Sequence, residues 1–148
     1  MAAPSKSKPR PKWVIDLHGI RETLTTRSNA AKASVIEAIQ SGEMLIMRSV
    51  SDELRAAFPG LWADFNAIKP RKYFTPTMAV YAAAGSMQAA HGTSLLGGMP
   101  DYAHFEAVAA ARIQKCKLIS GGKALGHCKD IAVKCGIPAG DVAGITAV

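Results

Sequence analysis

Apolar residues along this chain fall into two kinds of pattern. Short runs occur at Trp13-Val14-Ile15-Asp16-Leu17, Met44-Leu45-Ile46-Met47 and Cys116-Lys117-Leu118-Ile119-Ser120. Runs this short, rich in β-branched residues and bounded by Pro or Gly, predict strands buried on both faces. Between them the apolar residues recur at helical spacing. Ser28-Asn29 offers an N-cap for a helix carrying Ala30, Ala33, Ile36 and Ile39, and Gly42 is its stop. Ser49 or Ser51 caps a second helix with Leu54, Ala57, Phe58 and Leu61 on its apolar face. Pro59-Gly60 breaks or kinks it, and Trp62, Phe65 and Ile68 continue a helical stripe up to Lys69-Pro70.

Thr75-Pro76 predicts the start of a helix running to Ala90, since Pro suits a first turn. Residues 93–100 read as a loop. Asp101 opens a helix with Phe105, Val108, Ala109 and Ile113 on one face. Gly121-Gly122 reads as a turn, Lys123 to Cys128 as a short helix, and Ile131-Ala132-Val133 as a weak last strand. Alternating strands and helices predict βα units in a three-layer α/β/α fold with a mostly parallel sheet.

The 148 residues suffice for one domain with a sizeable core. Residues 1–11 alternate Pro with basic side chains and predict a disordered arm, which leaves 12–148 as the domain. Its apolar runs fall short of the ~20 residues that span a bilayer, and the N-terminus has no apolar stretch of the signal-peptide kind. Cys116, Cys128 and Cys135 show no paired short spacing, which argues against a zinc ribbon or a disulfide framework. A cytoplasmic protein with reduced thiols is the expectation. Net charge is +7, which favours polyanions such as RNA or DNA. Arg21, Arg27, Arg48, Arg71 and Lys72 are candidates to guide a phosphate backbone.

Asp16, Glu53 and Asp101 change the picture further. Each falls at or just past the C-terminal end of a predicted strand, or at the start of the following helix. Those strand ends form the ligand-binding edge of an open α/β sheet. Carboxylates gathered there repel one another unless a cation lies between them, which points to Mg2+ or Mn2+. The structural alternatives are a turn acid at Asp16, a first-turn acid at Glu53 and an N-cap at Asp101. His18 and His104 fall close in sequence to Asp16 and Asp101, where solvent-facing or structural roles compete with a place in the site. Gly97-Gly98 and Gly121-Gly122 lack P-loop spacing, and Ser86 and Ser94 lack the hydrolase elbow.

The order of these parts resembles the PIN-domain family of metal-dependent nucleases. Val14-Ile15-Asp16 is similar to the family's opening strand with its first metal-binding Asp. Ser49-Val50-Ser51-Asp52-Glu53-Leu54 resembles the second motif, with a Glu early in a helix. Asp101-Tyr102-Ala103-His104-Phe105-Glu106 resembles the third, an Asp opening an Ala-rich helix, and Lys117-Leu118-Ile119-Ser120 resembles the strand before the family's final acid. The match covers about residues 13–138.

The resemblance implies a metal-dependent endoribonuclease that hydrolyses RNA phosphodiester bonds, with Asp16, Glu53 and Asp101 as ligands of Mg2+ or Mn2+. It implies that Ser120 hydrogen-bonds a metal-bound water or a phosphate, and that Gly121-Gly122 admits a phosphate to the backbone. A single small domain of this kind is similar to the ribonuclease toxins of bacterial toxin–antitoxin modules. That likeness implies a small antitoxin partner and a homodimer. The chain departs from the pattern in two places. His18 stands where the family has a small polar residue, and Ser120-Gly121-Gly122-Lys123 carries no carboxylate where a fourth acid belongs, with Asp130 the next acid along. The missing acid motivates the alternative of a catalytically weakened PIN-like RNA-binding domain. A third alternative is an unrelated α/β nucleotide-binding or interaction module, in which the three acids never meet.

Overall fold

A computed structural model of the protein describes residues 10–91 and 102–148. The strands are β1 (Trp13–Ile15), β2 (Met44–Met47), β3 (Lys72–Phe74), β4 (Lys117–Ile119) and β5 (Val142–Ala143). The helices are α1 (Leu17–Thr25), α2 (Asn29–Ser41), α3 (Val50–Ala57), α4 (Trp62–Asn66), α5 (Met78–His91), α6 (Tyr102–Gln114) and α7 (Gly122–Lys134). Short 3-10 turns lie at Pro59–Leu61, Ala139–Asp141 and Ile145–Ala147.

All strand pairs are parallel, in the order β3-β2-β1-β4-β5. Val14 in the central strand lies opposite Leu45 on one side and Leu118 on the other. Val14, Ile15, Ile46, Leu118 and Ile119 are fully buried, as strands sandwiched between helical layers require. The chain steps outward from β1 to β2 to β3, then returns past β1 to reach β4 and β5. Right-handed crossovers therefore place α1–α4 on one face and α5–α7 on the other. The helix contacts agree: α1 touches α2, α3 and α4, while α5, α6 and α7 touch one another. The fold is thus three-layered α/β/α, as the alternating pattern predicts.

Local signals explain many of the boundaries. The Ser28 hydroxyl accepts the Ala31 amide at 3.2 Å and starts α2, and Gly42 ends it at φ 82°, in the left-handed region. Pro59 opens a 3-10 turn as expected, whereas α5 begins at Met78, so Pro76 lies just before its first turn and not in it.

Four elements differ from the sequence reading. Leu17, read as the end of the first strand, and residues 18–25, unassigned in sequence, form α1. Lys72–Phe74, unassigned in sequence, forms β3. The segment Ile131-Ala132-Val133 is no strand: it completes α7, whose buried residues Ala124, Cys128, Ile131 and Ala132 recur at helical spacing. The last strand lies later, at Val142–Ala143. Ile113, expected on the apolar face of α6, is exposed. The 93–100 loop, Asp101 and residues 1–9 of the arm lie outside the described residues.

Candidate functional site at the C-terminal edge of the sheet

The reversal of direction between β1 and β4 creates the topological switch point of the sheet, and Asp16 follows β1 directly at that point. In doubly wound sheets this crevice is where ligands bind. Asp16 also caps α1. Its Oδ1 accepts the Gly19 amide at 2.8 Å, and its Oδ2 accepts the Ser120 hydroxyl at 2.7 Å. Ser120 follows β4 and is fully buried, and Asp16 is 7% exposed. Burial pushes the Asp16 carboxyl above its ordinary range, against the opposing pull of the Ser120 and Gly19 hydrogen bonds and of His18.

Two close approaches of backbone hold this arrangement. A β-carbon on Gly19 would lie 2.6 Å from Ile15 Cγ1 and 2.8 Å from the Ile119 carbonyl oxygen. One on Gly121 would lie 2.7 Å from the His18 carbonyl oxygen and would run into the Glu22 carboxylate. Only glycine lets α1 sit this tightly against the ends of β1 and β4 and the start of α7.

Asp16, Glu53 and Glu106 line one small cavity of about 120 Å3, with His18 and His104 on its wall. Glu53 reaches it from the first turn of α3 and Glu106 from α6. Burial raises the Glu106 carboxyl above its ordinary range, and the negative charge of Glu53 raises it further. Beneath the site Cys128 is fully buried; burial and the Asp16 charge both push its thiol upward. The three cysteines are free, and Cys128 belongs to the floor of the core.

The structure thus brings two of the three sequence-predicted acids, Asp16 and Glu53, to one cavity, with Ser120 bonded to the first. Asp101 lies outside the described residues, one position before α6 begins. Glu106 is the acid that sequence reasoning passed over. Its signal was available: in a helix starting at residue 102 it sits early enough to reach the strand ends. Asp130, the other acid near the family's fourth position, is exposed on α7.

Hard oxygen donors lining a confined cavity suit a hard divalent cation. Among the described residues Gly19 donates to Asp16 Oδ1 and Ser120 to Oδ2, and a carboxylate oxygen can take a cation beside such a donor. Among the described residues, however, no group of three or more His, Cys, Asp or Glu closes around a point that a metal could occupy. The donor chemistry therefore fits Mg2+ or Mn2+, while the described side chains supply only part of a coordination shell.

A second, larger cavity of about 640 Å3 adjoins the first and shares His18 and His104 with it. Arg21, Lys123 and His127 line it, together with Gly121 and Gly122. The His18 and His104 rings stack 5.9 Å apart, and the His127 ring lies 5.3 Å from His104. Of the candidate guiding cations, Arg21 lies at this mouth, over the Phe58 ring at 4.6 Å. Arg71 does not act there. Its guanidinium donates to the Asn66 and Ile68 carbonyls at 3.0 and 2.9 Å and to the Tyr73 hydroxyl at 3.0 Å, tying α4 to β3.

The fold and site define a parallel α/β protein with carboxylates gathered at its switch point. No described helix is long and apolar enough to cross a membrane. Comparison with protein-family models gave no match, and comparison with curated proteins gave none.

Proposed function

We propose that this protein is a metal-dependent endoribonuclease of the PIN type, acting in the cytoplasm. The observation that carries the reading is the meeting of Asp16, Glu53 and Glu106, from three separate segments, on one cavity at the sheet's switch point. Asp16 and Glu53 would hold Mg2+ or Mn2+ on this reading, with Glu106 beside them and Asp101 as the further ligand implied by sequence. When bound, such a cation polarises a phosphoryl oxygen and lowers the pKa of water at the reacting phosphorus. The chain's own residues prepare the site. Ser120 and the Gly19 amide fix the Asp16 carboxylate in one orientation, so that no rotamer freedom is lost on binding. Glu106, whose proton is held more tightly than an ordinary carboxyl's, is suited to move a proton at the cavity wall. A toxin role, with a small antitoxin and a homodimeric assembly, follows from the sequence resemblance.

The test is cleavage of a labelled single-stranded RNA with Mg2+ or Mn2+, with EDTA as control. Metal-dependent cleavage abolished in Asp16→Asn and Glu53→Gln supports the reading; cleavage that survives both substitutions overturns it. Growth arrest on expression, relieved by a neighbouring small reading frame, tests the toxin role.

One observation favours a second reading, a weakened RNA-binding domain. Where an additional acid would strengthen metal binding, Ser120 donates to Asp16 instead, and the described residues leave a metal shell incomplete. RNA binding without cleavage at any metal concentration selects this alternative.

A further inference from the structure

The larger cavity beside the acidic site is the most built feature that the proposed chemistry leaves unused. Its wall is a tier of three imidazoles: His18 from α1, His104 from α6 and His127 from α7. The rings come from three elements, so the tier is a product of the fold and not of local spacing. His104 is buried at the centre, while His18 and His127 at the two ends are half-buried and line the cavity. His18 stacks on His104 with 19° between their planes, while the His127 ring is tilted 46° to His104; an aromatic ring that keeps exposed surface can carry another planar ring. Two cations, Arg21 and Lys123, border the same space, and both are exposed.

Charge narrows the ligand. Glu22 also lines the cavity, with its carboxylate packed against Gly121. Two cations against one carboxylate leave a single positive excess when the imidazoles are neutral. That balance suits a phosphodiester, which carries one negative charge. Gly122 is exposed and has open space beside its α-carbon, so a phosphate can come close to backbone there, whereas Gly121 is covered by Glu22. The volume of about 640 Å3 falls within the range of about 300–1,000 Å3 common to small-ligand sites.

The geometry points to a nucleotide subsite in this cavity: a base of single-stranded nucleic acid stacks on the His127 end of the imidazole tier, and its phosphodiester lies between Arg21 and Lys123. This deepens the ribonuclease reading and rests on it for the direction of the strand, which runs from this subsite into the acidic cavity across the shared His18 and His104. The subsite binds one nucleotide beside the bond to be cut. It also gives the chain a means of selecting unpaired RNA, because a base within a duplex must first lose its pairing and stacking to reach the platform.

The experiment measures binding of a fluorescent twelve-nucleotide single-stranded RNA in EDTA, where no cleavage occurs, against the same strand made abasic. The full chain is compared with His127→Ala, Lys123→Ala and Lys117→Ala, the last removing an exposed charge at the start of β4, at the opposite edge of the sheet. Loss of one stacked base costs about 1–3 kcal/mol, or roughly 5- to 150-fold in affinity. We expect His127→Ala to weaken binding of the base-bearing strand at least fivefold and to abolish its preference over the abasic strand. Lys123→Ala should weaken both strands at least threefold, and Lys117→Ala should change either by less than twofold. Circular dichroism and melting profiles matching the parent confirm that each variant is folded. Equal affinity of the parent for abasic and base-bearing strands, or equal losses in Lys123→Ala and Lys117→Ala, overturns the subsite. Metal-dependent cleavage with no such binding pattern defeats the subsite alone. The binding pattern without cleavage at any metal concentration defeats the ribonuclease reading alone.

Discussion

Replacing Asp16 by Asn should make the protein more stable while removing its activity, and the structure says by how much. Asp16 is 7% exposed as a residue, and the effective penalty for desolvating an ion in a protein is several kcal/mol. Two charge-assisted hydrogen bonds, from Gly19 and Ser120, offset part of it. Asn keeps both contacts: its amide oxygen accepts the Gly19 amide, and its amide nitrogen donates to Ser120 Oγ once that hydroxyl rotates. Each bond weakens on losing the charge, by about 1 kcal/mol, but the desolvation penalty disappears. The net expectation is a gain of about 1–3 kcal/mol, or a Tm rise of roughly 3–9 °C for a chain of this size. Asp16→Ala separates charge from shape. It also removes the charge, but it loses the helix cap, worth about 1 kcal/mol. It further strands the buried Ser120 hydroxyl, at a cost of about 1–3 kcal/mol. The alanine variant should therefore melt well below the asparagine variant.

The pH dependence supplies a sharper check. The folded-state pKa of Asp16 is raised, so the native state holds this proton more tightly than the unfolded chain does. The stability conferred by the protonated form is complete below the ordinary value of 3.8 and is lost as pH rises through the folded value. The advantage of Asp16→Asn should thus be small near pH 3.5 and largest near neutrality. Calorimetry in EDTA from pH 3.5 to 7.5 measures it. Adding Mg2+ should then raise the Tm of the parent alone, by about 2.7 kcal/mol of stability at a hundredfold excess over Kd. An asparagine variant less stable than the parent at pH 7, or a difference that does not change with pH, would refute the account of Asp16 as a desolvated carboxylate.

Three further outcomes follow from the same contacts. Ser120→Ala removes a hydrogen bond that favours ionised Asp16, so the acid limb of the pH–rate profile for RNA cleavage should move to higher pH; an unmoved limb would show that Asp16 ionisation does not govern the reaction. Arg71→Ala should cost about 1–3 kcal/mol in urea unfolding, through the Asn66 and Ile68 carbonyls left without this donor, yet leave RNA affinity within about twofold, whereas a guiding cation would show the reverse. Gly19→Ala forces a β-carbon against the Ile119 carbonyl, which is backbone and yields little; we expect about 1–3 kcal/mol of destabilisation, and an unchanged urea midpoint would contradict the close packing of α1 on β4.

What the sequence disclosed and what it concealed have separate physical origins. The strands β1, β2 and β4 were legible because each carries adjacent buried apolar residues, as a parallel strand covered on both faces requires: Val14-Ile15, Met44 to Met47, and Leu118-Ile119 after the exposed Lys117. Strand β3 was not, because its three residues begin with an exposed Lys and end with a buried Phe, too short a stretch to display any period. Ile131-Ala132-Val133 misled for the opposite reason. Two adjacent buried positions and an exposed Val133 look like a strand until Ala124 and Cys128 are counted with them. Helix α1 was hidden by Gly19, which reads as a breaker in one dimension and is a packing requirement in three.

The candidate site divides along the same line. Asp16 was legible because a carboxylate ending a buried run demands an explanation wherever it lies. Glu53 gained meaning only from its order relative to Asp16. Glu106 had a signal in its place early in α6 that was passed over, whereas the imidazole tier was beyond sequence reasoning, since nothing along the chain announces that His18, His104 and His127 share a wall. Their meeting depends on the return of the chain past β1, which brings α6 and α7 to the same crevice as α1. That return also explains why an acid-lined cavity and a cation-bordered one lie side by side. The acids come from β1, α3 and α6, and the cations from α1 and from the start of α7, so the switch point is where the two sets must adjoin. A strand of nucleic acid crossing that boundary would leave a region that favours its phosphates and enter one that repels them without a cation. On the proposed reading, this makes metal occupancy the condition for a bound strand to reach the acids.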